Sequence, residues 1–142
     1  MNTKFIGEEV WRQIGREVRH ARLPCHVAVA YFGRGASKLL PLKRGSRLVV
    51  DASDAAVRSG HTCPMDLKAL MVRGVSVFSV PNLHAKVYVI GRRAFVGSAN
   101  ASAHLRDDLD GALLLPTEGG AVAEARAYAE GPSLHRLTPE GW

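Results

Sequence analysis

The chain has 142 residues, of which 46% are hydrophobic and 23% are charged. A single domain of this length buries roughly two-thirds of its unfolded surface, so the composition excludes a disordered chain. Lysine and arginine number 19 against 13 acidic residues, and the formal charge of +6 favours a polyanionic partner, nucleic acid before an acidic membrane surface.

The chain lacks the features of a secreted or membrane protein. Its longest apolar runs, such as residues 27–32, are far too short to span a bilayer. The N-terminal residues do not resemble a signal peptide. Without such a signal, Cys25 and Cys63 indicate reduced thiols. We therefore expect a cytoplasmic protein with no stable membrane insertion.

Helices and strands alternate through the first half of the chain. Apolar residues recur at every fourth position from Ile6 to Val18, which predicts an amphipathic helix. Short apolar runs bounded by glycine or proline predict buried strands. In chain order we predict a helix over 5–22, a strand over 25–32, a short helix over 36–42, a strand over 47–50, a polar connection over 51–63, a helix over 65–73 and a strand over 75–80.

Three arginines recur along the first predicted helix. Arg12, Arg16 and Arg19 lie on a different face from the apolar residues. A solvated helix face is the more common explanation of such a pattern, and a stripe that follows phosphates is the alternative. Salt-dependent binding distinguishes the two.

Residues 83–100 predict a β-hairpin that gathers polar side chains around one point. Alternation places Lys86 on the same face as Tyr88 and Ile90, while the residues between them face a core. Gly91 suits the turn because it accepts a positive φ. The converging polar side chains are those of His84, Lys86, Ser98 and Asn100. A nucleophile, a cation and two neutral hydrogen-bonding groups together suit a phosphate.

The remainder of the chain predicts one more strand and one more helix. Asp110 leads into an apolar strand over 111–115, and an alanine-rich helix covers 121–130. We expect a single domain over 1–130 and a loosely held tail over 131–142. The whole pattern predicts an α/β fold with a mixed, largely parallel sheet and helices on both faces.

The H-x-K string at 84–86 and the G-S-x-N string at 97–100 resemble the signature of the phospholipase D superfamily. The surroundings agree over residues 83–115, with a hairpin inside the motif and an acid before the following strand. The resemblance implies an α/β/α sandwich and a two-step reaction. A histidine attacks phosphorus to form a phosphohistidine, a second histidine protonates the leaving oxygen, and water reverses the process without a metal or cofactor.

The resemblance also implies roles for individual residues. His84 would be the nucleophile or the general acid. Lys86 and Asn100 would bind phosphate oxygens, and Ser98 would form a hydrogen bond near the phosphate. Asp110 stands where small members carry a glutamate that orients the histidine ring, and Asp107 or Asp108 are alternatives. Gly91 replaces the aspartate of the family motif, and we expect this position to lie in the turn, away from the site.

The motif occurs once, whereas the chemistry needs two histidines on opposite sides of one phosphorus. A two-fold homodimer brings His84 of each chain into one shared site. Because the chain also carries a net positive charge, we predict a metal-independent phosphodiesterase that acts on DNA or RNA. The alternatives are a phospholipid phosphodiesterase or transferase, and a non-catalytic nucleic-acid-binding or dimerisation module of the same fold.

Histidine and cysteine residues outside the motif raise two further hypotheses. His61 belongs either to a plain surface loop or to a connection that approaches the substrate. The spacing of Cys25, His26, His61 and Cys63 fits no strong zinc pattern, and we predict no metal site.

Overall fold

The computed structural model describes residues 4–6, 10–83, 86–91, 93–97, 112–115 and 135–138. The described strands form one sheet in the order β1-β7-β6-β5-β2-β3-β4-β8. In chain order the elements are β1 (Lys4–Ile6), α1 (Val10–His20), β2 (His26–Val29), α2 (Ala36–Leu39), β3 (Arg47–Val50), α3 (Asp54–Arg58), α4 (Pro64–Arg73), β4 (Ser76–Ser79), β5 (Lys86–Ile90), β6 (Arg93–Gly97), β7 (Ala112–Leu115) and β8 (His135–Arg136).

The sheet contains both strand directions, which confirms the predicted mixed α/β fold. Strands β2, β3 and β4 are parallel, and the remaining neighbouring pairs are antiparallel. The parallel part is therefore smaller than predicted. Parallel pairs arise only where a helical crossover returns the chain to the same edge, as α2 and α4 do, whereas the hairpin of β5 and β6 reverses direction.

The main hydrophobic core lies between one face of the sheet and helices α1, α2 and α4. Its fully buried helical residues include Ile14, Val18, Leu67 and Leu70. Smaller clusters around Val49 and Val89 lie on the other face. Helices were predicted on both faces of the sheet, and the predicted helix over 121–130 lies outside the described residues. In the part of the chain that the structure describes, every helix is too short or too polar to cross a bilayer.

The predicted helix over 5–22 is wrong at its beginning. Residues Lys4–Ile6 form β1 and pair antiparallel with β7, with Phe5 opposite Leu113. Helix α1 begins at Val10. The partner strand is more than a hundred residues away, so a local apolar period cannot reveal it.

Two further elements depart from the predicted pattern. The polar connection over 51–63 contains α3, and Ser53 caps its N-terminus by accepting a hydrogen bond from the Ala56 N–H at 3.4 Å. Within the predicted tail, β8 pairs antiparallel with β4. The Leu137 N–H donates to the Val77 carbonyl oxygen at 2.8 Å next to this pair.

Asp66 joins the first turn of α4 to the beginning of α2. Its carboxylate accepts hydrogen bonds from the Ser37 N–H at 3.0 Å, the Ser37 hydroxyl at 2.6 Å and the Gly35 N–H at 3.2 Å. Burial acts to raise the pKa of Asp66, but the hydrogen bonds from Ser37, Cys63 and Gly35 outweigh it, and the pKa lies below its ordinary value. The carboxylate is therefore a structural anchor at the carboxyl ends of β2 and β3.

We expect Asp66→Asn to lower the free energy of unfolding at neutral pH by about 1–3 kcal/mol, because its amide group would face N–H donors. The folded-state pKa of Asp66 lies below the unfolded value, so this contribution is present above the unfolded pKa. The wild-type chain loses it as the pH falls through the folded pKa, and the variant has none to lose. Urea unfolding at neutral and acidic pH measures both effects. Asp54→Asn, at an exposed position in α3, is the control, and equal losses in the two variants would contradict the anchor.

Candidate functional site

Lys86 lies at the edge of the sheet where the parallel strands end. It is the first residue of β5 and pairs with Val29, the last residue of β2. Because β2 and β5 are antiparallel, the beginning of β5 lies beside the carboxyl ends of β2, β3 and β4. This edge is where open α/β sheets form their ligand sites. The Lys86 side chain is partly exposed there, so the structure offers a cation at this edge.

The ends of three strands meet beside Lys86. Val87 pairs with Val96 on β6, and Gly97, the last residue of β6, pairs with Ala112, the first residue of β7. The chain therefore leaves β6 and enters β7 at the edge where it enters β5. The other predicted site residues, His84, Ser98, Asn100 and Asp110 with its alternatives Asp107 and Asp108, lie outside the described residues.

Gly91 lies at the opposite end of the hairpin. Its φ of 61° is the positive value that the sequence predicted, and Ile90 pairs with Arg93 across a connection of two residues. Five strand positions separate Gly91 from Lys86, which corresponds to about 17 Å. The position of the missing motif aspartate is thus in the turn, away from Lys86, as predicted.

The prediction that one face of β5 is open is wrong beyond the first residue of the strand. Tyr88 and Ile90, on the face of Lys86, are only 1% and 4% exposed and belong to the main core. Helix α1 packs over this face through its residues Ile14 and Val18. Both faces of β5 are therefore buried along most of the strand, and Lys86 stands where that cover ends.

A tight turn precedes the H-x-K positions. The Leu83 N–H donates to the Val80 carbonyl oxygen at 3.2 Å, and the two central residues are Pro81 and Asn82. Asn82 has a φ of 61°. Proline in the second position and a residue with positive φ in the third are typical of a type II turn. The sequence reaches His84 directly after this turn.

Asp51, which sequence analysis did not single out, fixes that turn to β3. It follows β3, is 5% exposed and accepts hydrogen bonds from the Ser53 N–H at 3.0 Å and the Asn82 N–H at 3.1 Å. Burial acts to raise the pKa of Asp51, but the hydrogen bonds from the Ser53 side chain and from the Ser53 and Asn82 N–H groups outweigh it and lower the pKa. An acid directly after an apolar strand, with a Pro-Asn pair shortly before the motif, was the available sequence signal.

His61 lies at the same edge of the sheet as Lys86. Its ring stacks on Tyr31, which follows β2, with ring centroids 4.6 Å apart and planes at 23°. The Nδ1 atom of His61 is 2.8 Å from the Ser59 hydroxyl oxygen. The Thr62 hydroxyl donates to the Asp51 carbonyl oxygen at 2.7 Å and holds this segment to β3. His61 is exposed, so the structure places it on the surface, in the connection that follows β3 at this edge of the sheet.

The cysteine and histidine residues of the hypothetical zinc set are far apart. Cys25 precedes β2, whereas the Cys63 N–H donates to the Phe32 carbonyl oxygen beyond the other end of β2. Both cysteines are free thiols, and burial raises the pKa of Cys25 to about 11. Among the described residues, no group of three or more histidine, cysteine or acidic side chains is arranged to hold a metal ion.

Comparisons with known proteins give a match at the level of structure. No protein-family model matches the chain. No curated protein matches its sequence. The solved structure of Nuc, a phospholipase D family member from Salmonella typhimurium, matches 91% of this chain and 90% of that chain with a TM-score of 0.68. The chain has the phospholipase D fold.

Two other structures share this phospholipase D fold. NucT from Helicobacter pylori has a TM-score of 0.64 over 91% of this chain and 93% of that chain. Phosphatidylserine synthase from Haemophilus influenzae has a TM-score of 0.60 over 86% of this chain and 34% of that chain. Sequence identities are 12% to Nuc, 15% to NucT and 13% to the synthase. At these identities the similarity establishes the fold, and the chemistry has to be argued from the site.

We expect Asn82→Gly to keep the turn before the motif and Asn82→Val to disrupt it. A left-handed backbone costs a residue with a β-carbon about 1–2 kcal/mol, and a β-branched side chain tolerates it least. Urea unfolding should show a loss of this size for Asn82→Val alone, and hydrogen exchange of the Leu83 amide should become faster. If the valine variant were as stable and as protected as the glycine variant, the turn would not have the constraint described above.

Proposed function

We propose that the chain is a metal-independent phosphodiesterase that hydrolyses DNA or RNA. The position of Lys86 carries this proposal: in a phospholipase D fold, it places a cation at the beginning of β5. The strand ends that lead in sequence to the other motif residues meet at the same edge. Such an arrangement binds a phosphodiester and leaves its phosphorus open to attack.

The reaction would proceed in two displacements at phosphorus. The imidazole of one His84 attacks phosphorus and forms a P–N bond, and the bond to the leaving oxygen breaks as a second histidine protonates that oxygen. Water then attacks the phosphohistidine, gives its proton to the second histidine and restores the first imidazole. The proposed supporting groups are Lys86, Ser98 and Asn100 around the phosphate and Asp110 behind the His84 ring.

A homodimer would supply the second histidine, because the chain has one copy of the motif. A two-fold axis through the site places equivalent imidazoles on opposite sides of one phosphorus, as an in-line displacement requires. The dimer is thus a part of the proposed mechanism. It makes the activity dependent on protein concentration.

Nucleic acid is the substrate class that the charge favours. The formal charge of +6 suits a polyanion, and the two free thiols are compatible with a cytoplasmic protein. A phospholipid substrate is the second candidate, favoured by the similarity to phosphatidylserine synthase. A non-catalytic nucleic-acid-binding or dimerisation module of the same fold is the third.

We expect plasmid DNA or RNA to be cleaved in the presence of EDTA, and Lys86→Ala to slow cleavage by about 10²–10³-fold. Removal of one group that stabilises transition-state charge has an effect of this size. His84→Ala should abolish turnover, and mass spectrometry of acid-quenched wild-type enzyme should find a phosphoryl adduct on His84. Lys38→Ala removes an exposed cation from α2 and is the matched control.

The outcomes of that assay separate the three candidates. Turnover of a phospholipid without nucleic-acid cleavage would favour the second candidate, and binding without cleavage would favour the third. Full activity of Lys86→Ala, with unfolding unchanged, would contradict the site itself.

We expect the active species to sediment as a dimer, and specific activity to fall on dilution below the dissociation constant of the dimer. The reason is that a lone chain has one motif histidine where two are required. Sedimentation velocity at the assay concentration, combined with an activity titration, measures this dependence. An active monomer would contradict the shared site.

A further inference from the structure

The edge of the sheet opposite Lys86 carries a continuous set of basic residues. It is formed by three segments, residues 19–25, 43–46 and 73–75, which precede β2, β3 and β4. These strands are parallel neighbours, so the segments lie side by side. None of the three contains an acidic residue. We call this surface the basic edge, and its exposed members are Arg19, His20, Arg22, Lys43, Arg44 and Arg73.

Hydrogen bonds hold the three segments together. Lys43 Nζ donates to the carbonyl oxygens of Arg19 and Ala21 at 2.9 and 3.1 Å. The Gly45 N–H donates to the Gly74 carbonyl oxygen at 3.1 Å. Lys43 also offsets the partial negative charge at the C-terminus of α1. The backbone segments that carry the basic side chains are therefore held at fixed positions relative to one another.

Charge is distributed unequally between the two edges. Five lysines and arginines lie on the basic edge, against a net charge of +6 for the whole chain. Among the described residues, the acid closest in sequence to the three segments is Glu17, and its carboxylate is bound to Arg93 at 2.7 Å. Apart from the basic edge itself, the described residues that follow β2, β3 and β4 carry both signs of charge: Arg34, Lys38, Arg58, Lys68 and Lys86 together with Asp51, Asp54 and Asp66. Cations are thus mixed with acids on the side of Lys86, whereas the segments of the basic edge carry cations alone.

We propose that the basic edge binds the sugar–phosphate backbone of a nucleic acid, as a second contact separate from the reaction site. Four to five strand positions separate the two edges, or roughly 13–17 Å. The three segments lie on neighbouring strands and span roughly 10 Å. This span covers about three phosphates of one DNA strand, which follow one another every 3.4 Å along the helix axis. This inference rests on the proposed function in taking nucleic acid as the substrate, and it adds where the substrate is held.

The composition of the surface favours nucleic acid over a membrane. Leu23 and Val72 are exposed next to the basic edge, at 63% and 81%. Isolated apolar side chains of this kind are common on protein surfaces, and membrane docking needs a larger apolar area in addition to positive charge. Phosphate contacts by several cations require no apolar area, and their strength depends steeply on salt.

The test removes three charges from the basic edge while keeping Lys43, which bonds to α1. The triple variant is Arg22→Gln, Arg44→Gln and Arg73→Gln. Binding to a labelled DNA duplex is measured by fluorescence anisotropy at increasing sodium chloride concentration, with His84→Ala in every chain so that the DNA remains intact. We expect the slope of log affinity against log salt to become shallower by up to about 2.7, or about 0.9 for each lost contact. Affinity at low salt should fall by about tenfold or more.

The matched control removes three exposed cations from α1 and α2: Arg12→Gln, Arg16→Gln and Lys38→Gln. This variant has the same net charge and should keep the salt slope. Equal changes in the two variants, or no change in the edge variant, would overturn the proposal. Loss of binding to phosphatidylserine vesicles with unchanged DNA binding would overturn it in favour of a membrane contact.

Hydrolysis of a small activated diester, bis(p-nitrophenyl) phosphate, separates this proposal from the proposed function. The edge variant, with His84 and Lys86 intact, should keep the wild-type kcat/KM because this substrate does not reach the basic edge. A loss there would overturn the separation of the two surfaces. Absence of hydrolysis in the wild-type chain would overturn the phosphodiesterase proposal, and the binding measurements would still decide on the basic edge.

Discussion

The antiparallel pairing of β2 with β5 is the constraint on which the candidate site depends. It ends a run of parallel strands and places Lys86 opposite Val29. If β5 had joined the sheet in the parallel direction, its first residue would lie at the basic edge and the hairpin turn would lie at the carboxyl edge. The reversal therefore separates a surface of mixed charge beside Lys86 from a surface that carries cations alone on the other side of the sheet.

The hairpin could be predicted from the sequence because its information is local. Alternation along 86–90, a glycine at the turn and a second alternating run specify both strands and their partner. The parallel strands were equally predictable, since continuous apolar runs such as 48–50 indicate burial on both faces. The exposure of Lys86 was also correctly expected. The burial of Tyr88 and Ile90 was not, because it depends on α1, which packs over them from a distant part of the chain.

The features that the sequence did not reveal depend on contacts between distant segments. Strand β1 is three residues long, and only its pairing with β7 distinguishes it from the beginning of a helix. The importance of Asp51 comes from the Asn82 N–H, which lies 31 positions further along the chain. Net charge predicted an affinity for polyanions, but it has no direction, and the placement of charge on one edge follows from the strand order.

The pairing of Lys4–Ile6 with Ala112–Leu114 also determines when the first strand can join the sheet during protein synthesis. The first strand leaves the ribosome long before its partner is made. In the interval its backbone N–H and C=O groups must form hydrogen bonds with water or with a chaperone. The parallel strands, whose partners follow within a few tens of residues, can associate earlier. Closure of so long a loop is slow, so the outermost strand pair is expected to form late on the folding pathway, after the edge that holds Lys86 has been built.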